Sequence, residues 1–191
     1  MQSQRTIVFT NLELIQKVIQ QMTDDILTSA HLNPGDSVSV NIPPQECAWI
    51  VEQAIVTKMK SNSIIVFSQQ ESYASVPFLF EVRPVVVQLH YPRIFKDEIS
   101  KSNLVEREVI AHLSCQIENR RTGEIVYSAS LSRNSRDTIT VDDVNLAEQG
   151  CVKVTHAELP ADENILDKIV EPFVIIGATA VAIYLLFHIR S

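Results

Sequence analysis

Val105-Glu106-Arg107-Glu108-Val109-Ile110-Ala111-His112-Leu113-Ser114-Cys115-Gln116-Ile117-Glu118 alternates more cleanly than any other stretch of this chain. Successive side chains of a strand point to opposite faces. Val105, Arg107, Val109, Ala111, Leu113, Cys115 and Ile117 therefore share one face, and Glu106, Glu108, His112, Gln116 and Glu118 the other. Asn119-Arg120-Arg121-Thr122-Gly123 has the chemistry of a turn, and residues 124–132 return. The segment predicts a long antiparallel hairpin with one face turned to a core.

Upstream, Thr10-Asn11-Leu12-Glu13 has the form of a capping box, followed by Ile15, Val18, Ile19, Met22 and Ile26 at helical spacing. This predicts a helix over residues 11–29. Asn33-Pro34-Gly35-Asp36 turns, and residues 37–42 alternate as a strand. Pro43-Pro44 opens a second helix, predicted over residues 45–60, with Cys47, Ile50, Val51, Ala54, Ile55 and Met59 on its buried face. Ile64-Ile65-Val66-Phe67 is a short apolar run of the kind found in buried strands, so residues 37–68 fit a parallel strand-helix-strand unit. Residues 78–91 are rich in strand formers, but Pro84 and Pro92 restrict them to an edge or a bulge. Residues 95–103 read as a loop, 141–149 as a short helix, 151–156 as a last strand and 160–167 as an acidic linker.

The C-terminus differs in kind. No residue from 172 to 187 carries a charge, and the apolar residues occupy every side of a helix there. A spanning helix needs about 20 predominantly apolar residues. Adding Ile169, Val170 and Ile189 brings the run near that length, with Arg190 able to snorkel at one end. Pro172 falls in the first turn, where a missing N–H costs little. Residues 169–190 are expected to form a transmembrane anchor rather than a buried core helix. Gly177, Ala178 and Ala182 are its candidate helix-packing face, Ala178 and Ala182 standing four apart as small residues do where membrane helices approach closely. The fold class expected is α+β: a mixed sheet with two helices and a long antiparallel hairpin over residues 1–158, a linker over 159–168, and a C-terminal transmembrane helix.

The 191 residues carry a net charge of −7, which argues against nucleic-acid binding through a basic footprint. Cys47, Cys115 and Cys151 are far apart and odd in number, with no zinc spacing, and read as reduced thiols. Residues 1–9 lack a long apolar leader segment, so the domain is expected on the cytosolic side of the membrane.

Catalytic signatures are missing from the sequence. The four glycines, at 35, 123, 150 and 177, do not pair at phosphate-loop or dinucleotide-loop spacing, and the five histidines form no metal-protease motif. The neighbours Asp24-Asp25 and Asp142-Asp143 diverge on either kind of element and make no acid/base dyad. Arg133, Arg136 and Asp137, with His112, are the scattered residues that one hairpin has the best chance of gathering.

Two passages carry a resemblance. Trp49-Ile50-Val51-Glu52-Gln53-Ala54-Ile55 and Thr122-Gly123-Glu124-Ile125-Val126-Tyr127-Ser128 are similar to the helix and hairpin of the α+β domain of curli-secretion channel lipoproteins and of the Tol-Pal translocation protein's N-terminal domain. The likeness spans residues 37–130 and implies a bacterial, envelope-associated, non-enzymatic domain. It does not extend to channel formation, since those channel proteins are lipidated at an N-terminal cysteine and this chain has no cysteine before Cys47.

The reading that results is a single-pass membrane protein whose α+β domain serves as an accessory or assembly subunit. Its expected partners are the lipid bilayer and other membrane-protein subunits, with a homo-oligomer admitted and no cofactor or metal implied. The alternatives are a membrane-bound enzyme with a site assembled from scattered residues, and a soluble protein with a buried C-terminal helix.

Overall fold

A computed structural model describes residues 9–68, 75–149 and 153–160. The chain divides into two compact units, 1–158 and 159–191, and every helix and strand described belongs to the first. The anchor expected at 169–190, with Gly177, Ala178 and Ala182, and most of the linker lie outside the described residues. Among the described residues no helix is long and apolar enough to cross a membrane.

Helix α1 (Asn11–Ser29) begins where the capping box predicts. Thr10 Oγ1 accepts the Glu13 N–H at 3.2 Å, and Glu13 accepts the Thr10 N–H at 2.7 Å. Two N-terminal donors are thus satisfied reciprocally. Thr10→Ala removes one of these bonds and is expected to destabilise the domain by about 1 kcal/mol. A urea midpoint equal to wild type would show that the cap contributes nothing.

Strand β1 (Ser37–Asn41), helix α2 (Ala48–Ser61) and strand β2 (Ile65–Ser68) follow, and β1 pairs with β2 in parallel as the spacing predicts. Helix α2 starts at Ala48, three residues later than expected. A turn closed by the Ala48 N–H on the Gln45 carbonyl occupies the approach, and Cys47 supplies no side-chain cap.

Strand β3 (Phe78–Lys96), strand β4 (Asn103–Asn119) and strand β5 (Glu124–Thr140) complete a five-stranded sheet of order β2-β1-β3-β4-β5. Strand β3 is parallel to β1 but antiparallel to β4, so the sheet changes sense at its centre. Only Phe78–Glu81 of β3 pairs with β1. Beyond that point no strand among the described residues pairs with this side of β3, and register shifts fall at Val82/Val85 and His90/Arg93, around the two prolines. A proline cannot donate to a ladder, so both sit where the ladder is already broken.

Three extents differ from expectation. Strand β3 runs to Lys96 instead of ending near Tyr91, because β4 offers it partners as far as Asn103, and only 97–102 remain of the expected loop. Strand β5 continues to Thr140 instead of ending near 132, because β4 offers it partners as far as Leu104. Residues 151–156 give no strand in their described part: Lys153–Thr155 is a 3-10 turn whose Thr155 carbonyl is taken by a side chain. The predicted short helix at 141–149 is a 3-10 turn (Val141–Asp143) running into α3 (Val144–Ala147).

Helices α1 and α2 pack against one face of the sheet. Ile15, Ile19, Ile26, Ile50, Ile55, Phe80, Leu113 and Ile117 are fully buried in the main core. A smaller apolar cluster of Tyr91, Val105, Ile139, Val144 and Ala147 sits at the far end of the hairpin. The opposite face of β4 and β5 carries Glu106, His112, Gln116, Ser130, Asn134 and Arg136.

Candidate functional site

Arg107 lies on the apolar face of β4, as the alternation predicts, between Val109 of the main core and Val105 of the smaller cluster. It is 0% exposed. A guanidinium in such a place must be paired and hydrogen-bonded. Register sets Asp137 of β5 directly opposite. The two meet side by side, with Arg107 Nε donating to Asp137 Oδ1 at 2.8 Å and Nη2 donating to Oδ2. Nη1 donates to Asn11 Oδ1 at 2.7 Å and to the Phe9 carbonyl at 2.9 Å.

Asn11, the first residue of α1, is also fully buried. Its Nδ2 donates to the Tyr91 hydroxyl at 3.0 Å and to the Thr155 carbonyl at 2.8 Å. The Tyr91 hydroxyl donates to Glu148 Oε1 at 3.2 Å. Glu148 also accepts the Ala157 N–H at 3.2 Å, and its other oxygen lies 3.2 Å from His156 Nδ1. Burial pushes the Tyr91 hydroxyl above its ordinary pKa, so it stays a donor at neutral pH. One polar belt thus ties the start of α1, the hairpin and residues 155–157 together. Its groups satisfy one another, which suits positioning more than proton transfer.

The four residues singled out as scattered candidates do not converge. Side chains two apart share a face and neighbours do not. Arg133 and Asp137 stand on the helix-covered face, where Arg133 pairs with Asp25 of α1. Arg136 stands on the open face, where Nε donates to Glu108 Oε1 at 2.8 Å. His112 is exposed, opposite Ser132. The paired aspartates diverge as expected: Asp24 meets Lys58 at 3.0 Å while Asp25 meets Arg133.

Cys47 and Cys115 are free and buried. Burial pushes the Cys115 thiol up to about 11, so it is not a nucleophile near neutrality. Cys151 lies outside the described residues. Among the described residues no group of three His, Cys, Asp or Glu is placed to hold a metal ion. A cleft of about 620 Å³ opens at the sheet end between Asp36, Phe67, Pro77 and Arg121. It contains one carboxylate, and Asp36 already accepts the Asn33 N–H at 2.7 Å.

The Glu108 carboxylate gives a pH signature. Its hydrogen bond from Arg136 holds it below the usual glutamate range, against the opposing effect of burial. A depressed folded-state pKa stabilises above the unfolded value of about 4.3 and loses that contribution as pH falls through the folded value. Arg136→Gln is therefore expected to lower the urea midpoint at pH 7 while leaving that at pH 3 nearly unchanged. An equal drop at both pH values would place the effect outside this ion pair.

No protein-family model matches the chain, and no curated protein matches it. Solved structures do. One is a neuraminyllactose-binding hemagglutinin homologue from Helicobacter pylori, 11% identical over 58% of this chain and 69% of that one, with a TM-score of 0.36. A minor lipoprotein from Acinetobacter baumannii is 14% identical over 59% and 76%, with a TM-score of 0.36. The C-terminal domain of LpoB from Salmonella enterica is 10% identical over 62% and 96%, with a TM-score of 0.33. All three are bacterial, but likenesses this low leave the functional reading to the chain's own residues. Of the passages that resemble the secretion lipoproteins, Trp49 is half exposed at the start of α2, while Ile50, Val51, Ala54 and Ile55 are buried. Thr122 and Gly123 form the turn between β4 and β5.

Proposed function

We propose that this protein is a membrane-associated accessory or assembly subunit, whose α+β domain works by binding protein partners and whose residues 169–190 hold it at the bilayer. The observation that carries the reading is the commitment of its charged side chains. Arg107, Asp137, Arg133, Arg136 and Glu108 are engaged in pairs that tie strands and helix together. A catalytic site needs groups free to act on a substrate, within hydrogen-bond reach of it. The uncharged run over 172–187 supports the anchor, and Gly177, Ala178 and Ala182 are the face by which it would pack on partner helices.

The test is a mild-detergent pull-down of the full chain beside a version ending at Asp167. Partners recovered only with the full chain would make the anchor the assembling element. The same partners recovered by both would place recognition in the α+β domain. An empty result from both would overturn the subunit reading.

A further inference from the structure

Among the described residues no second strand pairs with β3 beyond Glu81 or with the outer side of β5, and the two edges are treated differently. The edge of β3 beyond Glu81 carries two prolines and two register shifts. Such breaks stop another strand from adding. The edge formed by β5 has neither. Its 17 residues contain no proline or glycine, and its only register irregularity lies near the turn, opposite Ile117/Glu118. Among the described residues no strand pairs with its outer side. Its remaining protection is charge, in Arg133, Arg136 and Asp137.

Those charges fit a second copy of the same strand. We propose that β5 pairs antiparallel with β5 of another molecule, about a two-fold axis at Ser135, giving a continuous ten-stranded sheet. In that register Arg133 lies opposite Asp137 and Leu131 opposite Ile139, each twice by symmetry, and Arg136 lies opposite Asn134. No like charges meet, and opposite charges set across a ladder stabilise it. Moving the axis to Arg136 would oppose that arginine to itself. Moving it to Asn134 would set Asp137 against Leu131. Only the Ser135 register forms the two ion pairs, and a self-complementary patch is what a two-fold interface requires. Asp137 can take part without releasing Arg107, since its side chain is 34% exposed while it holds that guanidinium. Arg133, 36% exposed, would exchange or share its contact with Asp25. The paired stretch, residues 130–140, spans about 35 Å at the usual rise per residue. A dimer of this kind goes beyond the accessory-subunit reading and stands without the anchor.

The experiment uses residues 1–158, a compact unit by itself, with Cys151→Ser, which leaves the buried Cys47 and Cys115 as its native thiols. Light scattering is expected to give twice the monomer mass at tens of micromolar. Opposed residues of an antiparallel pair stand about 4.5–5.5 Å apart at Cα, within disulfide range. Ser135→Cys is therefore expected to cross-link to a dimer under mild oxidation, at least tenfold faster than Ser132→Cys. Arg133→Glu, which would face Asp137, is expected to return the protein to a monomer. A monomeric mass for the unmodified domain, or equal cross-linking at 132 and 135, would overturn the proposal. A failed pull-down with an intact dimer would overturn the subunit reading alone.

Discussion

Asp137→Ala is expected to cost the domain about 3 kcal/mol, near the lower end of what breaking a buried ion pair costs, because water reaches the site from the side of Asp137, 34% exposed. The loss arises from Arg107, which would remain fully buried with its charge uncompensated. That cause can be separated from lost packing. The double change Arg107→Met with Asp137→Leu removes the charge and its partner together and fills the space. It leaves Asn11 Oδ1 and the Phe9 carbonyl without that donor, so some loss remains. The double variant is nevertheless expected to unfold at a higher urea concentration than Asp137→Ala. If the two unfold together, the stranded charge is not what destabilises the single variant.

Phe80→Ala is expected to cost about 3–5 kcal/mol, the range for a fully buried aromatic removed from a core. Phe80 is 0% exposed and lies opposite Val40 of β1 and Ile117 of β4. It stands at the joint where the parallel half of the sheet meets the antiparallel half, and both helices cover the core beneath. A domain has about 5–15 kcal/mol of stability in total, so this variant should be largely unfolded at 37 °C. Circular dichroism with urea titration measures it, and a near-native midpoint would mean that the joint collapses to fill the space.

Much of this architecture could be read in advance where a local pattern decides it. Thr10 and Glu13 announce α1, the alternation from Val105 to Ile117 announces the buried face of β4, and Pro84 and Pro92 mark the breaks in β3. The polar belt was legible only in half. Arg107 stands conspicuously in an apolar face, which demands a buried counter-charge, but the counter-charge is 30 residues away across a hairpin. Counting across the turn from Asn119 opposite Glu124 sets Arg107 against Arg136, on the wrong face. The irregularity at Ile117/Glu118 moves the register by one residue and brings Asp137 into place. Asn11, 96 residues from Arg107, looks like an ordinary first residue of a helix, and nothing near it signals its burial. Grouping Arg133, Arg136 and Asp137 as one cluster failed for a simpler reason: a period of two divides them between faces.

Arg107 of the belt also stands between the two apolar clusters of the domain, with Val109 in one and Val105 in the other. Cooperative units tend to follow contiguous packing, and the smaller unit opens at lower free energy. The end of the hairpin around Val105 and Ile139 should therefore exchange its amide hydrogens by a sub-global opening, while β4 near Leu113 exchanges only when the whole domain unfolds. The belt then acts as a hinge line in free energy. The part of the domain that loosens first carries α3, whose Val144 and Ala147 pack in the smaller cluster.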